Sequence, residues 1–416
     1  MRDNKNTLIK NIISLYGFSI AKVVLPLITL PYLTRVLSVE SYGLVNYVRS
    51  VVGYMQIVVD FGFMLSGTKE IVRNQSNRKE IGCISGNIMC ARLGLALMLI
   101  PVGVVLMYAI PILSNAKSYF ILSYVPVLLS VFLFDYVFRG IEKMHVLTMR
   151  FFVMKGVSTI LTLLIVKSDA DLLWIPVLDS LGSAIAIVMV VLELKRESIH
   201  LQITGIKQVI MELRSSAVFF VSNVANTIFG ALNTLLIGIF LSSAEVAYWT
   251  LCIQLVTAIQ TMYQPITDGI YPEMMKSKNL KYVNRIVNIF MPVIFAGCVF
   301  TYVAAEPLLE IVGGEKYVAA KNVLRCLIPV MFLGFPTVIF GWPTLGAIEK
   351  DAAVTLSTVL TAAFQLVSLL FLGAIGKFTL IAIAATRSIT EGVLFLIRIC
   401  LFTRYKKCFT QINEEK

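Results

Sequence analysis

Charge and histidine are scarce in this chain. Asp, Glu, Lys and Arg make up 14% of its 416 residues, where a soluble domain carries about 25%. With 58% hydrophobic residues and a mean hydropathy of +0.84, a chain of this length cannot hide its apolar surface in one soluble core. His145 and His200 are the only histidines, which excludes a histidine-built metal site. The seven cysteines (Cys83, Cys90, Cys252, Cys298, Cys326, Cys400 and Cys408) show no CxxC or other metal-ligand spacing. Most fall in apolar stretches, where a free thiol acts as a small apolar side chain. No phosphate-binding glycine loop, nucleophile elbow, HExxH or kinase set occurs. No connection exceeds about 25 residues, too short for a soluble catalytic domain. Period-2 alternation is missing as well, which excludes a membrane β-barrel. No cofactor or metal is expected.

What is present is a succession of apolar runs. A hydrocarbon core about 30 Å thick needs about 20 helical residues per crossing. Twelve segments meet that requirement: 12–34, 43–66, 84–108, 118–138, 149–167, 172–193, 216–240, 246–271, 286–305, 323–343, 353–374 and 378–402. The pattern predicts an all-α polytopic membrane protein. Arg2, Lys5 and Lys10 ahead of a long apolar run mimic a secretion signal. That run is too long and lacks a small-x-small cleavage site, so it reads as the first span. With the N-terminus inside, the inner connections hold 23 of the 36 Lys and Arg and the outer ones seven. Both termini are therefore expected in the cytoplasm. The net charge of +12 matches inner loops facing anionic lipid and needs no nucleic-acid partner.

The chain also repeats itself. Gly140-Ile141-Glu142-Lys143 and Thr148 answer Ile348-Glu349-Lys350 and Thr355 at an offset of 207. Leu37-Ser38-Val39-Glu40-Ser41-Tyr42 answers Leu241-Ser242-Ser243-Ala244-Glu245 and Tyr248. Each pair sits at the same point of a six-span half. An even number of spans per repeat preserves orientation, so the halves are parallel repeats about an axis along the membrane normal. The expected organisation is an N-terminal six-helix bundle over 1–194, a cytoplasmic linker over 195–215 and a C-terminal six-helix bundle over 216–416. In the linker, Ile203, Ile206, Ile210 and Leu213 recur at helical spacing against Lys207, Gln208, Glu212 and Arg214. This predicts a short amphipathic helix on the inner surface; an ordinary inter-domain loop is the alternative.

Six cations lie well inside the apolar segments, Lys22, Arg49, Arg92, Lys155, Arg387 and Arg398, while Arg150, Lys167 and Arg325 stand at segment ends and are counted with the connections. A charge at the centre of a span costs roughly 2.5–3.5 kcal/mol on insertion scales and needs a partner, water or a bound anion. Lys22 shares a helix face with Ser19, Pro26 and Thr29; at an offset of 204, Asn223, Asn226, Gly230 and Asn233 repeat the spacing. Polar faces of this kind turn toward protein or water, so the two spans are expected to flank a wet cavity. Lys22 then corresponds to Asn226, Arg49 to Gln254 and Lys155 to Ala362. The cations belong to the N-terminal half and neutral groups answer them in the other, which predicts an asymmetric anion site. The competing explanations are an ion pair of Lys22 with Asp60 or Asp179, and snorkelling of Lys155 and Arg92 to the interface. Arg387 has Glu391 one turn on, and Arg398 reads as a snorkelling end residue. The acids Asp60, Asp135, Asp179, Asp268 and Glu391 are candidates for pairing or for proton coupling. Glu142 and Glu349 read as turn-capping residues rather than ligands.

The stretch KNIISLYGFSIAKVVLPLITLPYLTRVLSVESYGLVNY resembles the Wzx-type polysaccharide flippases of bacterial O-antigen and capsule clusters, members of the multidrug/oligosaccharidyl-lipid/polysaccharide transporter superfamily. Pro26, Pro31-Tyr32-Leu33-Thr34-Arg35-Val36-Leu37 and Tyr42-Gly43 carry the likeness, with Asp60-Phe61-Gly62-Phe63 and Gly140-Ile141-Glu142-Lys143-Met144 adding to it. The resemblance implies a MATE-like, V-shaped pair of six-helix bundles in a bacterial inner membrane, working by alternating access. It implies that undecaprenyl-pyrophosphate-linked oligosaccharide is moved to the outer leaflet, in company with a polysaccharide polymerase and chain-length proteins. Lys22, Arg49 and Lys155 would hold the anionic head group, and Asn223, Asn226 and Asn233 the sugars. Two other functions fit a polytopic chain. A drug or cation antiporter of the same fold would need a dominant buried acid. A membrane polymerase or ligase would need a large outer loop.

Overall fold

A computed structural model describes residues 26, 28–263, 266, 267, 269, 270, 274, 275 and 278–414, with the backbone alone at 222, 223, 225–231, 407 and 410–414. Lys22 and Asp268 lie outside the described residues, as do the side chains of Asn223 and Asn226. The described chain is built of helices, and nine of them are long and apolar enough to cross a membrane. It divides into two compact units, Met1–Thr227 and Ile228–Lys416.

In the first unit a helical segment over 28–36 precedes α1 (Val39–Asp60) and α2 (Phe63–Arg73). Then follow α3 (Arg78–Ala109), α4 (Lys117–Ser130), the single-turn α5 (Asp135–Gly140), α6 (Met144–Ile165) and α7 (Trp174–Arg196). Helix α8 covers Ile206–Phe240. The second unit continues with α9 (Ser243–Thr261), α10 (Leu280–Val303) and the short α11 (Ala305–Gly313). It closes with α12 (Lys321–Ile339), α13 (Asp351–Ala374) and α14 (Leu380–Glu414). Helices dominate because lipid offers backbone groups no partner, so each span must satisfy its own.

Helix starts and breaks follow from local chemistry. The Ser38 side chain accepts from the Ser41 N–H at 3.1 Å and begins α1. Its repeat partner Ser242 caps α9 in a reciprocal capping box with Glu245. The repeated Ile-Glu-Lys becomes a repeated turn. Glu142 and Glu349 both take left-handed backbone, with φ 61° and 60°. The following amides reach back, Lys143 N–H to Phe138 O at 2.8 Å and Lys350 N–H to Leu345 O at 3.1 Å. Each turn launches the next span, α6 or α13, so the repeat persists in the backbone. Asp60-Phe61-Gly62-Phe63, expected at the end of a continuous span, is a break. Phe61 and Gly62 are left-handed (φ 39° and 78°) and separate α1 from α2. Gly62 also lets the backbone meet α8: a Cβ there would stand 2.7 Å from Phe219 Cβ.

The linker differs from its expected form. Residues 199–205 form no helix or strand and are strapped to α3 by Gln202 N–H to Gly82 O at 3.1 Å and Thr204 N–H to Asn87 Oδ1 at 3.0 Å. The helix beginning at Ile206 is not a separate amphipathic element: no proline follows before Phe240, and one helix runs through both the surface stripe and the apolar segment. Ile203, Ile206 and Ile210 stay exposed along its start.

Each unit has its own core. Phe63, Ile81, Ile88, Phe138 and Leu194 pack together in the first. Tyr263, Phe335, Leu345 and Phe409 do so in the second. Large apolar side chains such as Val105, Val293 and Val303 stand outward, which a hydrocarbon solvent permits. We expect Gly62→Ala to destabilise the protein by about 1–3 kcal/mol, because the left-handed backbone and Phe219 both resist a Cβ. A lower thermal unfolding midpoint in detergent would show it, and an unchanged midpoint would refute the close α2–α8 approach.

Candidate functional site

Helices α1–α7 line a cavity of about 490 Å³ in the first unit. Four cations (Arg49, Arg92, Arg150 and Lys155) and three carboxylates (Asp60, Asp135 and Asp179) line it. The balance is one positive charge, far less basic than the pattern of cations along the sequence implied.

Three of the cations are paired. Arg92 Nη2 lies 2.7 Å from Asp60 Oδ1, and Arg150 Nη2 lies 2.8 Å from Asp135 Oδ2. Lys155 Nζ lies 3.0 Å from Asp179 Oδ1, which also accepts from Ser158 at 2.7 Å. Gln56 joins the first pair, donating to Asp60 at 2.9 Å and to Ser130 at 3.0 Å. The pairs differ in exposure, and exposure decides what they can do. The Arg92 and Arg150 side chains are 7% and 4% exposed, so both serve to hold α3 and α6 against their carboxylates. Lys155 is 42% exposed, and an ammonium has three donors, so it can keep Asp179 and still offer an N–H to the cavity. The α6–α7 approach that joins them depends on Gly182, where a Cβ would run into the Met154 carbonyl.

Arg49 is different. It projects from α1, is exposed, and makes no ion pair among the described residues. It is near enough to Asp179 and Tyr119 to act on both electrostatically. An unpaired guanidinium in a membrane-spanning bundle offers a planar fork suited to phosphate or carboxylate oxygens.

The structure thus brings Arg49, Lys155, Asp60, Asp135 and Asp179 into one cavity. It leaves Asn233 out. That residue is 1% exposed and accepts from Gln365 Nε2 of α13 at 2.9 Å; packing between α8 and α13 has taken the face that its spacing assigned to water. Glu391 pairs with Arg387 one turn earlier at 2.9 Å. Arg398 does not snorkel. It is 8% exposed and donates to the Thr337 carbonyl at 2.6 Å and to Thr358 at 3.3 Å, because α12 ends there and leaves a carbonyl without a helical partner. Arg92, read as a snorkelling candidate, is held inward by Asp60.

Arg150 was missed. At the edge of the 149–167 segment it was counted with the cytoplasmic connection, but α6 begins at Met144, directly after the repeated turn. The Ile-Glu-Lys repeat was the signal that could have located that start. Outside the spans, Lys143 bonds Glu197 and Glu193, and hydrogen bonding to Glu197 holds its ammonium above the usual lysine range. Among the described residues no cluster of three His, Cys, Asp or Glu could hold a metal.

Removing the buried Arg150 guanidinium from half-buried Asp135 (Arg150→Met) is expected to cost about 3 kcal/mol. Arg49→Gln should cost under about 1 kcal/mol. Thermal unfolding of the two variants checks this, and equal losses would contradict the division between paired and free cations.

Comparison with known proteins places this geometry. A family profile described as "Polysaccharide biosynthesis protein" matches residues 8–278. A Shigella dysenteriae protein named "Putative O-antigen transporter" is 28% identical over 331 residues, covering 76% of this chain and 81% of that one. An Escherichia coli (strain K12) protein of the same name is 24% identical over 425 residues, 100% and 99% of the two chains. Among solved structures, the lipid II flippase MurJ in an inward closed conformation superposes with a TM-score of 0.74 at 13% identity, over 93% of this chain and 87% of that one. An inward-facing multidrug resistance MATE family transporter of the MOP superfamily gives 0.61 at 13%, over 92% and 99%.

Proposed function

Because the chain belongs to the polysaccharide biosynthesis protein family, we propose that it is a flippase carrying an undecaprenyl-pyrophosphate-linked oligosaccharide from the inner to the outer leaflet of a bacterial cytoplasmic membrane. The fold, shared with MurJ and MATE transporters, is that of a multi-pass membrane carrier, and the chain is a transporter rather than an enzyme. The observation that carries the reading is Arg49, a cation in a membrane-embedded cavity with no carboxylate partner among the described residues.

In this reading the pyrophosphate meets Arg49 first, with its oxygens accepting from the guanidinium fork. Lys155 contributes a second donor without releasing Asp179. Lys22, which the sequence assigns to the first apolar segment, would add a third charge. Asp60, Asp135 and Asp179 hold the other cations at fixed positions, so the cavity is organised before the anion arrives and little reorganisation opposes binding. The sugars would contact the polar wall of Gln56, Ser123 and Ser130 rather than Asn233. With both termini cytoplasmic, inner-leaflet loading and outer-leaflet release would alternate as the two units change their mutual orientation. A polymerase and chain-length proteins acting on the delivered unit are the expected partners.

A cation antiporter would need an acid free to bind the cargo. In this cavity each of the three carboxylates already holds a cation, which favours the anionic substrate.

Reconstituted protein should move lipid-linked repeat units between leaflets. A hydrogen bond to a charged group contributes about 1.5–3 kcal/mol, so Arg49→Gln should reduce transport about tenfold or more. Lys155→Gln should reduce it further and Lys155→Arg should retain it. Full activity in the Arg49→Gln, Lys155→Gln double variant would sink the assignment.

A further inference from the structure

One face of α2 grips the start of α8. Gly62, Ser66 and Glu70 follow at four-residue spacing and so share a helix face. They meet three residues of α8 in turn. Gly62 passes so close to Phe219 that a Cβ there would stand 2.7 Å from the Phe219 Cβ. The Ser66 and Ser216 hydroxyls lie 2.6 Å apart. The Glu70 carboxyl comes within hydrogen-bonding range of the Glu212 carboxyl. Beside the first of these contacts Phe61 stacks on Phe220, with ring centroids 4.4 Å apart. All of them lie inside the first unit.

The third contact is unlike the others. Glu212 is 9% exposed, between Val209 and Leu213, which pack into the apolar core of the unit. Its Oε2 is buried and accepts from no donor among the described residues. An ionised carboxylate can only accept, so two side by side repel and leave each other unsatisfied. The charged groups of the packed elements do not relieve this. Arg92 and Arg150 hold Asp60 and Asp135, and Arg78 and Lys143 hold Glu197. Lys69 and Arg73 of α2, Lys79 and Glu80 of α3, His200 ahead of α8, and Lys207 and Arg214 of α8 are exposed, and Arg139 of α5 is half-buried. None of them acts on Glu212 as Glu70 does. Tyr136 of α5 is near enough to feel the Glu212 charge, but its hydroxyl donates to the Ser85 carbonyl at 3.3 Å.

A proton resolves the conflict, since it turns one carboxylate into a donor to the other. Glu212 precedes the apolar segment of α8, and burial, followed by the Glu70 charge, pushes its carboxyl up to about 8. The pair therefore holds its proton at neutral pH. We propose that Glu70 and Glu212 form a proton-binding latch, in which one proton shared between the two carboxylates holds the start of α8 on α2. Loss of that proton to water sets two negative charges against each other and loosens the contact. Arg150 and Asp135 tie their helices whatever the pH near neutrality; an acid pair ties them only while protonated. Helix α8 runs on past Thr227 into the second unit, so the latch acts on the helix common to both. It stands independently of the cargo.

A glutamate in the unfolded chain titrates at about 4.3. The folded pair keeps its proton to higher pH, so the stabilisation is complete below that value and is lost as pH rises to about 8. Glutamine imitates the protonated acid. The full chain and its Glu212→Gln variant, both in detergent, should therefore melt alike at acid pH, and the variant should melt higher at alkaline pH. At matched alkaline pH the amides of 63–73 and 206–216 should exchange about tenfold faster in the wild type than in the variant. Infrared spectra across the titration should show a protonated-carboxyl band that fades as pH rises and is missing in Glu212→Gln. Glu70→Gln should keep that band but move its loss to lower pH, because the like charge is gone and an amide donor replaces it. An alkaline midpoint of Glu212→Gln no higher than wild type, equal exchange in the two proteins, or the absence of the band would each overturn the proposal.

Discussion

A charge inside a lipid-facing bundle has to be answered by another charge or by a hydrogen-bonding group of the protein. The first unit is organised around that constraint. Arg92 ties α3 to α1 through Asp60, Arg150 ties α6 to α5 through Asp135, and Lys155 ties α6 to α7 through Asp179. Each pair fixes two helices and also fixes the place of a charge in the cavity wall. Pairs of this kind add little net stability over an apolar replacement, but losing one partner is costly. Their value is positional: they define a polar cavity at a depth where lipid would otherwise exclude one. Arg49 then stands out, because it makes no ion pair among the described residues.

The second unit meets the same constraint differently. Arg398 is held by a helix-end carbonyl and hydroxyl groups, and Asn233 accepts from Gln365. These groups are absorbed into packing. What remains open is an uncharged space beside Gly297. The two halves share a backbone plan, down to the left-handed Glu142 and Glu349, yet their cavities differ in chemistry.

Much of this was legible in the chain. The spans could be read because a hydrocarbon solvent imposes length and composition directly on each segment, one segment at a time. The repeat could be read because helix starts and turns depend on a few local residues, Ser38 and Ser242 or the two Ile-Glu-Lys triplets. The site was legible only in part. Helical spacing marked a polar face on α8 but could not say that α13 would bring Gln365 against Asn233. Position alone put Arg150 at the edge of a span and Arg398 at an interface, and packing placed both inside.

By itself the sequence determined that the chain crosses the membrane as helices, in two related halves, with cations it must account for. Local physics suffices for that, since apolar length, caps and insertion cost are properties of single segments. Which cations are consumed by carboxylates, and that Arg49 is left over among the described residues, was decided by tertiary structure alone. The partners lie far apart in sequence, as Asp60 and Arg92 do, and their meeting depends on how helices pack, which no segment encodes by itself.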